Sequence, residues 1–148
     1  MVQLANPTES TGGGAFFRPP KGQYLGKFVG LVDAPPDTMY PNKDGTPKQR
    51  VSFRWELYTL DQRPVPDKEG NIPAIVDRWC STSMYLGPQN KSTAVEILEG
   101  MLGRSVKSHE KSADLVEECT GEWCILYYEE DPKNPAVGRL KTVLPHRG

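Results

Sequence analysis

At 148 residues the chain fits a single domain large enough to bury a core without disulfide or metal staples. Its formal net charge of −1 gives no global positive field to draw in a polyanion. Charge is uneven, however, with seven Lys/Arg against five Asp/Glu in residues 1–60 and five against eight in residues 109–148, so any nucleic-acid contact has to rest on a local stripe.

Residues 1–22 read as an arm, because Asn6-Pro7, the run Gly12-Gly13-Gly14 and Pro19-Pro20 deny it regular structure. Its aromatic-basic cluster Phe16-Phe17-Arg18 is expected to tuck onto the body as an anchor, with contact to nucleic acid or a neighbouring subunit as the sharper alternative. Residues 23–148 form the folded domain. Gln23–Asp33 is the first strand, and Gly26 and Gly30 within it mark a bulge or a sharp coil, which suits a small closed barrel. The connection Ala34–Lys48 is longer than a hairpin turn, and long ordered loops in small domains often carry function.

The second strand, Gln49–Leu60, is the most informative segment. Val51, Phe53, Trp55 and Leu57 alternate with Arg50, Ser52, Arg54, Glu56 and Tyr58, which predicts one dry face and one wet face. Two arginines and a tyrosine on the wet side suit phosphate gripping and base stacking. A polar, Pro-bearing stretch follows, with a turn at Glu69-Gly70-Asn71. Ala74–Leu86 is the third strand. Its apolar side is Val76, Cys80, Thr82, Met84 and Leu86, interrupted by Arg78; its other side offers Asp77, Trp79, Ser81, Ser83 and Tyr85.

Thr93–Leu102 is the one firm helix. Thr93 and Glu96 have capping-box spacing, Gly103 supplies a stop, and Ala94, Ile97, Leu98, Met101 and Leu102 give an apolar face. Ala113–Glu118 is a second short helix or a turn. Gly121–Tyr128 is the fourth strand, with Trp123, Ile125 and Tyr127 expected in the core, and Val137–Leu144 is the fifth. The predicted fold is therefore mainly β with one capping helix: an OB-fold, a five-stranded Greek-key barrel with the helix between strands three and four.

At these segments the chain resembles the small OB-fold single-stranded DNA-binding proteins of tailed bacteriophages. The likeness runs through the Gly-rich start before GQYLGKFVGLVD, the strand VSFRWEL, the hydroxyl-rich WCSTSMYL leading into a helix, and TGEWCILYY leading to a final strand that ends in Pro145. The resemblance implies sequence-tolerant coating of single strands in phage DNA replication or recombination, without catalysis, metal or cofactor, in the cytoplasm of an infected bacterium. Two features depart from the family pattern. Glu129–Asp131 puts three acids in the loop between the last two strands, and the sequence closes on Pro145-His146-Arg147-Gly148 instead of an acidic tail.

The expected nucleic-acid surface combines Arg50, Arg54 and Tyr58 from strand two with Trp79, Ser81, Ser83 and Tyr85 from strand three. Tyr40, Lys43 and Lys48 adjoin it on the loop between strands one and two. Its partner is single-stranded DNA, with RNA and self-association along the strand left open. A protein-binding barrel that docks on or inhibits a host protein is the alternative reading.

Catalysis finds little support. There is no P-loop, no G-x-S-x-G and no H-E-x-x-H, and the carboxylates Asp61, Asp67, Glu69 and Asp77 lie mostly on one loop, where a two-metal nuclease needs them converging from separate strands. Cys80, Cys119 and Cys124 include no CxxC pair, so reduced thiols fit better than a zinc site completed by His109 or His146. No apolar run approaches the length of a membrane span.

Overall fold

The computed structural model describes residues 17–39, 41–82, 84, 86–87 and 90–146. In chain order the elements are β1 (Gly22–Asp37), β2 (Lys48–Tyr58), β3 (Ile75–Ser81), a two-rung hairpin of β4 (Leu86–Gly87) and β5 (Asn90–Lys91), α1 (Thr93–Leu102), α2 (Ser112–Cys119), β6 (Trp123–Asp131) and β7 (Asn134–Pro145). The five long strands form one antiparallel sheet in the order β3-β2-β1-β6-β7, so the molecule is mainly β, barrel-like, with two helices: the capping helix, and a second where a short helix or a turn was expected. The third strand also ends earlier than its sequence suggested, at Ser81 instead of Leu86.

β1 is central because it is long enough to pair with β2 from Leu25 to Asp37 and with β6 through Gly22–Lys27. A bulge lies between Phe28 and Gly30, where Gly30 adopts φ +148°, a conformation that glycine takes without strain. The extra residue, Val29, is left exposed. β1 then continues past Ala34 to Asp37, which shortens the loop read from the sequence.

Phe28, Phe53 and Trp55 form the heart of the core, with ring centroids 5.9 to 6.2 Å apart. Against them α1 buries Ala94, Val95, Ile97 and Leu98. The cap of α1 is Ser92, one residue before the expected Thr93: its hydroxyl accepts from the Val95 N–H, and Gly103 ends the helix in the left-handed region. α1 packs on β7 so closely that a Cβ at Gly100 would overlap the Val143 carbonyl oxygen. It also contacts β3. No ladder joins β3 to β7 among the described residues, so the helix spans the seam between the two sheet edges where a closed wall was expected. Arg78, the exception on the inward side of β3, lies at this seam beside Thr93, Glu96 and Lys141.

The end of the arm is docked. Phe17 packs against the core, Pro19 is fully buried, the Gly138 N–H donates to the Pro19 carbonyl at 2.6 Å, and Arg18 pairs with Asp131 at 3.0 Å. Phe17 is thus an anchor; Phe16 lies outside the described residues. No helix of the described residues is long and apolar enough to cross a membrane.

Candidate functional site

The register of the sheet decides which side chains share a face. Phe53 pairs with Arg78 and Trp55 with Val76, and these point inward. Arg50 with Ser81, Ser52 with Trp79, and Arg54 with Asp77 form the outward rungs. Arg50, Arg54 and Trp79 are therefore brought together on one surface, as expected. The details differ from a row of free side chains.

The Arg50 guanidinium lies 5.0 Å from the centroid of the Trp79 ring, and its Nε donates to the Pro35 carbonyl at 2.8 Å. The Trp79 indole N–H donates to the Asp77 carboxylate at 2.9 Å. The same carboxylate accepts from the Ser52 hydroxyl at 3.4 Å, and Ser52 accepts from Arg54 Nε at 3.4 Å. Trp79 keeps only 6% of its surface and Ser52 none, so this part of the wet face is covered. That corrects two expectations: Ser52 is not solvated, and Trp79 is no open stacking platform, because Arg50 and its neighbours cover the ring. Arg50, Arg54, Asp77 and Ser81 are the partly exposed side chains here.

The less covered rings lie across β1, on β6. In β6 the inward side chains are Cys124, Leu126 and Tyr128, all buried. Trp123, Ile125 and Tyr127 point outward, opposite to the core placement expected for them. Trp123 meets the Tyr58 ring edge-on, centroids 4.8 Å apart, and Lys27 Nζ stands 5.8 Å from the Trp123 ring. Tyr127 is 39% exposed, and Leu144, across from Ile125, is 45% exposed. Tyr58 donates to Glu56 at 3.0 Å; burial, and then the Glu56 carboxylate, push its phenol pKa up, so it stays a neutral donor at physiological pH.

The surface therefore has two linked parts. The Arg50 guanidinium overlies Trp79, with Arg54 two rungs along on the same side of β2. The Lys27 ammonium from β1 stands beside the half-buried Trp123 ring, which meets Tyr58; Tyr127 lies exposed further along β6. Lys27, Trp123 and Tyr127 were missed from sequence. The available signal was the pairing of Lys27 with both Glu56 and Trp123, which only the register reveals.

Lys43 and Lys48 are at the β1–β2 end of this face. Lys43 is exposed in a tight turn closed by Asn42 N–H to the Thr46 carbonyl at 2.9 Å. Asp44 accepts from the Thr46 hydroxyl and N–H, and these bonds lower its pKa. Lys48 is half-buried opposite Asp37. Tyr40, Ser83 and Tyr85 lie outside the described residues.

Glu129, Glu130 and Asp131, expected in a loop, instead close β6 in register with β7, and they do not stand as bare negative charge. Glu129 pairs with Arg139 at 3.2 Å and Lys141 at 3.3 Å, Glu130 with Lys21 at 3.9 Å, and Asp131 with Arg18. The three cysteines are free and buried, and burial raises their pKa values to about 11 for Cys80 and Cys119 and about 12 for Cys124. No group of three His, Cys, Asp or Glu among the described residues is placed to hold a metal ion. No protein-family model, curated protein or solved structure matches this chain.

Proposed function

We propose that the chain is an OB-fold protein that binds single-stranded DNA through the outward face of β1, β2 and β6. The strand order, with the helices inserted between the third and fourth strands of the sheet, supports the OB reading: it is the order of a Greek-key barrel opened between its third and fifth strands. The observation that carries the function is the interleaving of Arg50, Arg54 and Lys27 with the rings of Tyr58, Trp123 and Tyr127 on one surface. Cations track the phosphate backbone while any base can stack on an aromatic face, which gives affinity with little sequence reading and no catalysis. A role in coating strands during phage replication or recombination follows from the family resemblance.

Fluorescence anisotropy with labelled oligo-dT across a salt series tests the proposal. Three phosphate-contacting cations give a log–log slope of about −2 on single strands, hence roughly a 20-fold loss of affinity between about 50 and 200 mM salt. No binding at the lowest salt, or binding indifferent to salt, would refute it.

The neighbouring exposed Tyr127 and Leu144 favour a second reading, a barrel that docks on another protein. Capture of one specific host protein from a nuclease-treated lysate, lost on Leu144→Asp, would support that reading over the first.

A further inference from the structure

A cavity of about 580 Å³ opens between Phe17–Arg18, the loop from Asp67 to Pro73, and the start of β7. It adjoins the outward face. Ile75 lines it, pairs with Glu56 on the outward rungs of the sheet, and stands two residues from Asp77, the register partner of Arg54. We propose that this cavity receives one unstacked base of the bound strand and prefers cytosine to thymine. The inference rests on the single-strand reading above.

The cavity has a suitable floor and rim. Phe17, Ile75 and Val137 offer an apolar bed for a ring. Around it the polar groups have separate duties. Asp67 is committed to its own loop, accepting from the N–H groups of Glu69 and Asn71 at 2.9 and 3.0 Å and from the Asn71 side-chain amide at 3.2 Å. The Asn71 main-chain carbonyl accepts from the Asp67 N–H at 3.0 Å, which leaves the Asn71 side-chain Oδ1 and the exposed Glu69 carboxylate as acceptors. Asn134 accepts from the Ala136 N–H at 3.2 Å, which turns its NH₂ toward donation. Lys68 stands at the rim as a phosphate contact.

Acceptors on one side and a donor on the other match the edge of cytosine, whose amino group donates while its ring nitrogen and carbonyl accept. Thymine presents a carbonyl where cytosine has the amino group, so its oxygen would face Glu69 and Asn71. A carboxylate accepting from the cytosine amino group is an established pairing, and a mismatched edge leaves polar groups unpaired.

Competition between oligo-dC and oligo-dT of equal length at one neutral pH and one salt concentration reads the preference. The expected result is tighter binding of oligo-dC by roughly 5- to 10-fold, the scale of one good base contact. Glu69→Lys, at an exposed loop tip, should bring the ratio to one or invert it, and Val137→Trp, which fills the cavity, should abolish it, both with circular dichroism unchanged. Equal binding of the two oligonucleotides by the natural protein overturns the base site while leaving single-strand binding intact. A preference that survives both substitutions overturns it as well, because discrimination then arises elsewhere. If neither oligonucleotide binds, the proposed function falls along with it.

Discussion

Trp123 is where the proposed interface can be probed most cleanly. Of the three tryptophans, Trp55 is fully buried and Trp79 is 6% exposed, so Trp123 is the one whose ring a base or a soluble quencher can reach. Replacing it by Ala removes one stacking surface, worth about 1–3 kcal/mol per base, which is roughly 5- to 150-fold in affinity. The cost to the fold is smaller. The edge-on contact with Tyr58 and the Lys27 ammonium over the ring are each worth about 0.5–1.5 kcal/mol. Neither loss should unfold a domain of ordinary stability, about 5–15 kcal/mol. Trp123→Phe keeps an aromatic face, so it should retain most of the affinity yet lose the quenching of intrinsic fluorescence on oligo-dT addition. Anisotropy supplies the affinity, tryptophan emission the quenching, and thermal melting the check on folding. If Trp123→Ala binds as well as the natural protein, or if quenching persists in Trp123→Phe, the stacking surface is not on β6 and the reasoning fails.

Three further outcomes follow from particular contacts. Arg50→Ala should lower stability by about 1–3 kcal/mol, because it removes both the stack on Trp79 and the bonds to the Pro35 and Pro36 carbonyls; acrylamide should then reach a second tryptophan, and an unchanged quenching profile would refute the covering role. Gly100→Ala should cost about 1–3 kcal/mol or more in urea denaturation, since the new methyl group cannot share space with the Val143 carbonyl unless α1 shifts from β7; unchanged stability would mean that the helix packs less closely. Glu110 has its pKa lowered from 4.5 to about 2, first by its bond from the Arg104 side chain and then by the Lys107 N–H, so its contribution is present above about pH 4.5 and is lost as pH falls toward 2. Relative to the natural protein, Glu110→Gln should have a lower melting temperature at neutral pH and a gap that closes across that window; a gap constant with pH would exclude the Arg104–Glu110 pair as its source.

How much of this was legible in the sequence depended on whether hydrophobic alternation had one solution. In β2 it did: Phe53, Trp55 and Leu57 are large and apolar, their neighbours are mostly charged or hydroxylic, and the inward face follows at once. α1 was equally plain, down to its bounds, although its cap lies on Ser92 because that hydroxyl reaches the Val95 N–H. β6 was not. In Trp-Cys-Ile-Leu-Tyr-Tyr both parities are apolar, and choosing the bulkier set for the core put Trp123 and Tyr127 on the wrong side. Tertiary context decided otherwise. Tyr128 fills the space beside Tyr24, their rings edge-on at 5.8 Å, while Leu25, flanked by Tyr58 and Ile125 in the register, is buried on the outward face and makes that face partly apolar in its own right. Trp79 shows the complementary difficulty. Its outward direction was readable from the strand, but its burial depends on Arg50, whose guanidinium is anchored by carbonyls 14 and 15 residues away in sequence.

The same geometry answers the objection that a chain of net charge −1 should not attract a polyanion. Fields from exposed charges decay over about 8 Å at physiological ionic strength, so the balance that matters is local. The carboxylates of this face stand against its cations: Asp77 is the register partner of Arg54, and Glu56 is that of Lys27. The acids that close β6 face lysines and arginines, Asp131 pairing with Arg18, and Glu110 and Glu118 are paired with Arg104. Lys27 is not among the residues in these ion pairs, and Arg50 bonds to neutral carbonyls, so their positive charge is not cancelled by a bonded carboxylate. A strand laid across the face would then place phosphates along β2 and β1 and bases toward β6. That path ties affinity to salt through the cations and fluorescence to Trp123 alone.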